Sequence, residues 1–462
     1  MTGPAVLGPK PPRRDRTDVE RPLRAVAGDL AGEMRRRRPA GCLATSGAVQ
    51  TWHRTSGRFA EGRVSDISVQ QGQGTSARYV LRDGYRHRSV AGLDPYAAAL
   101  DGRDRPGRAG AETGTAAPAW MEISSVLAVL GELEAAARGF DPSVAQVVID
   151  FELSDQTTVL ARDGRLHEDR RLLSYLTVRV IARGGGRVAT GFYTPGVSGP
   201  LSGIDARSAG VEVARRAVTG LAARPAPVGR LPVVVAGGRG MVLLHEACCH
   251  PLEGDEVLRG SVYAGMLGKD VASPLVTITD DPTVAGAVGS FGYDDEGTPG
   301  TPTTLIEDGV LRGFLTDQES AARLGGGSSG NGRCTTVLQP PQPRMTNTCL
   351  RAGTSSVDDL VAGTESGIFA QHVGGGEVIE STGEFTFRVT NGFLIENGRI
   401  TDPIEETTIS GTGTQVLRDI NGIADDTVVG AAKCGKFGQW VPVGVVGPTL
   451  RVGSLLVGGT GR

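Results

Sequence analysis

The stretch Met241–Asp255, MVLLHEACCHPLEGD, sets two histidines around a glutamate in the order H-E-x-x-x-H. Neutral imidazole is a good zinc ligand, and a carboxylate beside the first ligand can reach a water on the metal. The common zinc-peptidase spacing is H-E-x-x-H, with ligands at i and i+4 on one helix face. Here His245 and His250 stand at i and i+5, so on a regular helix they lie roughly 140° apart. They can share one ion only if the helix widens locally, as in a π-bulge, or ends near His250. Pro251 favours the second option, because it disfavours helical geometry at the residue before it. Read as structure alone, these are two ordinary histidines near a helix end. The chain has only six histidines, however, and two share this short segment with Glu246.

A second segment, AAKCGKFGQWVPVGVVGPT over 431–449, offers a soft ligand. The glycines predict a turn at Cys434, with Lys433 and Lys436 close by. Nearby cations favour the thiolate, the form that binds zinc. A lone cysteine is otherwise a small hydrophobe, but the glycine and lysine neighbours argue against an apolar packing site. Two neutral histidines and one thiolate leave a Zn²⁺ site at net +1, with a fourth position open for water, the pattern of a catalytic site. On this reading His245, His250 and Cys434 hold one zinc ion per chain. Glu246 then takes a proton from the metal-bound water and passes it to the leaving nitrogen of an amide. Glu253 and Asp255 are candidates for orienting the ligand histidines, or are surface carboxylates after a helix. Asn347 and Arg344 line a cleft or serve a turn. His372 is an alternative third ligand, and Cys249 a competing one. Gly374–Gly376 let a substrate backbone approach closely or form a hairpin turn.

The elements that must position these residues follow from composition and pattern. Hydrophobic residues make up 39% and charged residues 21%, a soluble globular balance. The net charge of −3 gives no electrostatic reason for a nucleic-acid or acidic-membrane partner. The Arg35–Arg38 run reads as a solvated helix face rather than a nucleic-acid patch. No run of about 18 apolar residues predicts a membrane span, and the N-terminus has no apolar signal core. Six cysteines without a regular framework fit reduced thiols in a cytoplasm. The 69 glycines are scattered, which predicts short strands joined by tight turns.

A chain of 462 residues predicts two domains. The expected class is α+β: a disordered tail over 1–20, an N-terminal α/β domain over 21–225, and a β-rich C-terminal domain over 226–462. In the first domain the sequence predicts a strand at Ser76–Leu81 with a turn at Asp83–Gly84, a linker at Gly102–Thr115, and a helix over 124–139 capped by Ser124 and stopped by Gly139. Strands are expected at Val144–Leu153, Gln156–Ala161 and Ser174–Ala182, with a turn at Asp163–Gly164, and a second helix at Val211–Ala223. Pro225–Pro227 marks a break. Beyond it come a strand at Val233–Ala236, a turn at Gly237–Gly240 and a helix at Met241–His250. Strands at Leu275–Thr279, Thr303–Ile306, Phe385–Val389 and Phe393–Ile395 follow, with a flexible loop at Gly325–Gly332.

The chain resembles the TldD/PmbA family of zinc metallopeptidases. The resemblance rests on HEACCHPLEGD at 245–255, DDEGTPGTPTTLIEDGVLRGFLTD at 294–317, GNGR at 330–333, PRMTNT at 343–348, GGGEV at 374–378 and CGKFGQWVPVG at 434–444. It extends through nearly all of 231–462, is weaker over 120–225 and is faint before 120. It implies a TldD-like, metal-bearing member in which His245, His250 and Cys434 match the ligands. Glu246 then matches the general base that becomes a proton donor. It also implies an N-terminal α/β domain, a β-rich C-terminal domain, and a zinc-lacking PmbA/TldE-like partner, or a second copy of the chain, enclosing the site. An extended peptide would enter as an added strand. Leader-peptide trimming and degradation of unfolded peptides are roles within the family, and actinobacterial relatives occur in antibiotic biosynthesis. Two positions depart from the family pattern: Cys249 replaces a glycine, and Phe437 replaces an aspartate. These departures make a small-molecule or peptide-like amide an alternative substrate. A non-catalytic partner subunit is the third reading, and the intact ligand set speaks against it.

Overall fold

The computed structural model describes residues 17–82, 84–91, 119–379 and 382–459. The expected tail up to residue 16, the linker at 102–115 and Asp83 of the predicted turn lie outside them. The first sheet is an antiparallel array in the order β3-β2-β1-β4-β5-β6. Its strands are β1 (Ala44–Ala60), β2 (Arg63–Leu81), β3 (Gly84–Ala91), β4 (Val144–Arg162), β5 (Arg165–Gly184) and β6 (Arg187–Tyr193), and the short β7 (Gly196–Val197) pairs with β5. Ser76–Leu81 is the end of the much longer β2. The β4–β5 hairpin closes through Asp163 and Gly164, both at positive φ (48° and 79°), the two-residue turn expected there.

The two strands expected at 144–153 and 156–161 are one continuous strand. Ser154–Asp155 reads as a break, yet β4 is paired on both sides, to β1 and β5, through these residues. Arg170 on β5 takes both oxygens of Asp155 at 3.0 and 2.6 Å, so the carboxylate can sit inside a strand.

Helix α1 (Thr17–Arg36) begins inside the tail expected to be disordered over 1–20, packs Leu30 and Met34 against this sheet, and pairs Glu33 with Arg36 and Arg37 near its end. The arginine run, expected as a solvated helix face, straddles the helix end, with Arg35 and Arg36 in the last turn and Arg37 and Arg38 beyond it. Helices α2 (Ile123–Arg138) and α3 (Ala206–Gly220) cover the other core. Gly139 ends α2 as expected, but the residue before its first turn is Glu122, not Ser124, and no side chain caps it. The second helix begins five residues earlier than expected because Asp205 accepts the Ser208 amide, an N-cap that outranks the apolar periodicity. The two helices meet at Gly210, where a Cβ would lie 2.4 Å from the Leu133 carbonyl.

The second half contains a ring of strands. These are β8 (Gly229–Val235), β15 (Ser366–Ile379), β16 (Glu384–Glu396), β17 (Arg399–Ile404), β18 (Thr407–Thr412), β19 (Ile420–Ile423) and β22 (Leu450–Gly459). The order β15-β8-β22-β18-β16 is closed by pairing of β15 with β16, while β17 branches from β16 and β19 from β22. Closure leaves free only the lengths of strand that overrun their neighbours, such as β15 beyond Ala370. Beside it stands a six-stranded sheet in the order β11-β10-β9-β14-β21-β20. Its members are β9 (Ile278–Asp280), β10 (Thr303–Glu307), β11 (Val310–Leu311), β14 (Asn347–Leu350), β20 (Val428–Lys436) and β21 (Gln439–Gly447). A two-strand ladder, β12 (Gly332–Arg333) with β13 (Gln342–Pro343), completes the set.

The strands expected at 385–389 and 393–395 are one strand, β16, whose register shifts across Val389–Gly392 instead of ending there. The expected flexible loop at 325–332 is tied down. Ser329 bonds to Thr316, and Asn331 Nδ2 reaches Asp280 at 2.7 Å and the Arg344 carbonyl at 3.0 Å. One apolar core joins both sheets, from Val235 and Phe385 on the ring to Ile278 and Val443 on the neighbour.

Buried ion pairs fasten the first sheet to the second half. Arg78 on β2 reaches Glu296, Asp317 at 3.0 Å and Glu319 at 3.2 Å, with only 3% of its side chain exposed. Removing one partner of a buried charged group leaves the others unpaired. Arg78→Met should therefore lower unfolding free energy by about 3–5 kcal/mol, read from the denaturation midpoint. A loss within experimental error would show that this cluster does not hold the two parts together.

Candidate metal centre

The residues after β8 turn through Gly238, whose φ is +65°, and enter a π-helical turn over Leu244–Cys249. The amide of His250 donates to the carbonyl of His245, a bond spanning five residues. The wider turn brings a residue five positions on beneath the first, so the two rings sit 5.4 Å apart and nearly perpendicular at 82°. At His250 the chain changes to a tighter 3₁₀ turn through Pro251. Both devices that the spacing demanded are present, local widening and an end to regular helix. Gly413 lets the next layer close on this turn: a Cβ there would lie 1.9 Å from the Ala247 carbonyl.

Cys434 is not in a turn. It sits on β20, paired across from Val441, and the turn follows at Phe437 and Gly438, with φ of 46° and 75°. Gly435 tolerates extended backbone as readily as a turn, and pairing with β21 decides the outcome. Strand alternation then puts Ala432, Cys434 and Lys436 on one buried face. Cys434 Sγ lies 3.0 Å from His250 Nε2, and Glu246 Oε2 lies 3.3 Å from the same nitrogen. Donor atoms of His245, Glu246, His250 and Cys434 all fall within 4.8 Å of one another. The histidines and the cysteine are buried, whereas the Glu246 side chain is 27% exposed and joins the cluster to solvent.

Electrostatics favour an anionic sulfur and an anionic carboxylate. Burial alone would raise the Cys434 thiol, but the charges of His250, Arg344 and His245 bring it down to about 5. Burial likewise opposes ionisation of Glu246, yet the hydrogen bond and charge of His250 hold it at about 2. The lysines expected to act on Cys434 do not do so. Lys433 pairs with Glu152, and Lys436 pairs with Glu253 and Asp255, each at 2.7 Å.

The remaining candidates separate clearly. Glu253 is fully buried, not superficial. It accepts from His250 Nδ1 at 3.0 Å and from Lys436 Nζ at 2.7 Å. His245 Nδ1 lies 2.9 Å from the Thr348 hydroxyl. With the proton on Nδ1, each ring donates outward and turns the Nε2 lone pair inward. His245 Nε2 is buried and has no hydrogen-bond partner among the described residues. That orphaned donor atom, beside a nitrogen and a sulfur already in contact, fits a tetrahedral zinc ion.

Arg344 supports the cysteine strand, giving its guanidinium to the Cys434 carbonyl at 2.7 Å. Asn347 serves a turn, holding the Asp281 carbonyl, the Ser290 hydroxyl and the Gly289 amide. His372 is bonded to Thr390 and lies outside the four-residue group, as does the buried Cys249. Gly374–Gly376 lie within β15, and a Cβ on Gly376 would strike the Thr386 carbonyl at 2.2 Å. The close approach there is to a neighbouring strand. Sequence reasoning missed Thr348, and it placed Lys436 beside the thiol rather than under Glu253.

Comparison with known proteins follows the same lines. The profile described as PmbA/TldA metallopeptidase C-terminal domain matches residues 228–459, and the one described as the central domain matches 118–221. The chain belongs to the PmbA/TldD metallopeptidase family. A metalloprotease TldD homologue of Haemophilus influenzae is 39% identical over 339 residues, covering 70% of each chain. A metalloprotease of Methanothermobacter thermautotrophicus is 35% identical over 328 residues, covering 70% of this chain and 72% of its own. Among solved PmbA/TldD-like folds, a putative modulator of a DNA gyrase from Thermotoga maritima superposes with a TM-score of 0.76 at 21% identity, over 94% of this chain and 99% of its own. TldE from Thermococcus kodakarensis gives 0.73 at 17% identity, over 94% of this chain and all of its own.

Outer partners that fix a ligand's ring and tautomer are worth about 10–100-fold in metal affinity. If the cluster holds a metal ion, Lys436→Met should therefore weaken its binding by about that factor in a chelator competition, and Lys436→Arg should recover part of it. Unchanged affinity in the methionine variant would show that Glu253 orients His250 without the lysine.

Proposed function

We propose that this chain is a zinc-dependent peptidase in which His245, His250 and Cys434 hold the ion and Glu246 moves the proton. The observation that carries the reading is the convergence of His245 Nε2, His250 Nε2 and Cys434 Sγ, with Glu246 as the partly exposed member of the cluster. Bound zinc would supply Lewis acidity toward a scissile carbonyl and toward water. Glu246, a carboxylate at neutral pH and the partly exposed member of the cluster, accepts a proton from the attacking water and returns it to the leaving amine nitrogen. Glu253 and Thr348 keep the histidine rings from rotating as charge builds.

The metalloprotease names of the relatives support amide hydrolysis. An extended peptide is the preferred substrate class. β8 pairs with β15 only at Ile368–Ala370, so the rest of β15, through Glu377 and Ile379, has no second neighbour among the described residues. A strand of peptide could add there. The partner we propose is a zinc-lacking TldE-like chain, or a second copy of this one, and the shared fold with Thermococcus TldE supports the first choice. Six free cysteines suit the reducing cytoplasm. No helix among the described residues is long and apolar enough to cross a membrane.

One observation favours a narrower substrate, a small or peptide-like amide from natural-product assembly. Phe437 projects from the β20–β21 turn with 62% exposure, beneath the guanidinium of Arg259 at 4.7 Å. An aromatic platform beside the ligand strand suits a defined partner more than a generic peptide.

Glu246→Gln should keep stoichiometric zinc by elemental analysis and lose peptide turnover by about 10²-fold or more. Chelation of the wild-type chain with its partner should abolish turnover, and added zinc should restore it. Full activity in the glutamine variant would overturn the assignment of Glu246. Activity that survives complete zinc removal would overturn the metal reading.

A further inference from the structure

A second polar cleft, of about 360 Å³, opens between the first sheet and the β20–β21 hairpin. None of the four residues of the metal cluster lines it. Lys433 does, and as the neighbour of Cys434 on β20 it faces the opposite side of that strand. Arg54 on β1, Arg171 on β5 and Arg333 on β12 also line the cleft, and Trp440 forms part of its wall at 62% exposure.

The balance of charge in this cleft is incomplete. Lys433 and Arg54 share Glu152, at 2.5 and 3.9 Å. Arg171 has Asp169 at 2.6 Å and Asp295 at 2.9 Å. Arg333, only 2% exposed, has no carboxylate within ion-pair distance among the described residues. Its terminal nitrogens donate to the carbonyls of Met345 and Pro442, and its buried Nε has no partner. Burial and the nearby charge of Arg171 push the guanidinium down to about 10, so this cation is poorly compensated where it lies. Arg54 Nε is a second buried nitrogen without a hydrogen bond. Four cations thus face three carboxylates around the cleft.

We propose that this cleft is a binding site for the free C-terminal carboxylate of a short peptide. The single excess positive charge matches a monoanion rather than a phosphate dianion. Arginine gives the carboxylate a planar fork of donors, Gln156 and Gln339 on the wall suit the adjoining amides, and Trp440 covers an apolar side chain. The site is physically separate from the metal cluster, so the inference does not rest on the zinc chemistry proposed above.

The test is calorimetric titration of the full chain with N-acetyl-leucylglycine, its C-terminal amide and inorganic phosphate, with zinc loaded and with zinc stripped. The acid should bind at least about tenfold more tightly than the amide, equally in both metal states and in Glu246→Gln. Arg333→Gln should remove that preference. Because Arg333 also holds two carbonyls, Arg54→Gln at the rim provides a second variant, expected to fold normally and to weaken the acid several-fold. Equal binding of acid and amide would overturn the proposal. So would phosphate binding as tightly as the acid, or acid binding that disappears with zinc, which would place the peptide at the metal cluster instead. Retained acid preference in both variants would overturn it as well.

Discussion

The centre depends on burying an ammonium group. Lys436 has no exposed side-chain surface and is held by Glu253, Asp255 and Glu256 at 2.7, 2.7 and 3.3 Å. A lysine in that position is tolerable only while its carboxylates are present, and a buried Glu253 only while the lysine is. The pairing therefore binds the end of β20 to the short helix α4 (Gly254–Leu258) and to the segment that leads into it from His250. The same strand face carries Cys434 two residues earlier, so the contact that neutralises Lys436 also sets the sulfur against His250. Geometry at the ligands is a by-product of charge balance one layer further in.

Much of the centre was legible from residue type and spacing. The i, i+5 interval between His245 and His250 excludes a regular helix as the carrier of both proposed ligands, and the π-helical turn is the form that satisfies it. The element carrying Cys434 was not legible, because Gly435 and two lysines look like a turn while cross-strand pairing with Trp440 and Gln439 makes a strand. The source of thiolate stabilisation was missed for a related reason. Proximity in sequence put Lys433 and Lys436 beside the sulfur, but Lys433 lies on the opposite face of β20 with Glu152, Lys436 is taken up by Glu253 and Asp255, and the guanidinium that acts is that of Arg344, 90 positions away. Long-range partners of this kind leave no local pattern.

The fold was legible in class and less so in extent. Strong apolar runs marked β4, β5 and β16, but polar interruptions read as breaks: at Ser154–Asp155 neighbours on both sides supply the missing bonds, and at Thr390–Asn391 the strand carries through on a register shift against β15. The motif stretches 294–317, 330–333 and 343–348 are largely architecture. Asp294 accepts the amides of Glu296, Thr298 and Gly332, and Asp280 gathers Asn331 and Thr346, which together fix the backbone that presents Arg344. Distinctive sequence in this chain marks buried hydrogen bonding as often as it marks chemistry.

The closed ring has a consequence for how the molecule comes into being. β8 leads directly into the histidine segment, yet one of its two neighbours is β22, with Val235 paired to Leu450. The other, β15, is also remote in sequence. A chain emerging from the ribosome carries both histidines long before it carries the strands that complete the ring or the cysteine that completes the ligand set. Contacts of such wide separation fold slowly. During that interval the nascent histidine segment offers two nitrogens and no sulfur, so under the proposed ligand set any choice among metals waits until most of the polypeptide has been made.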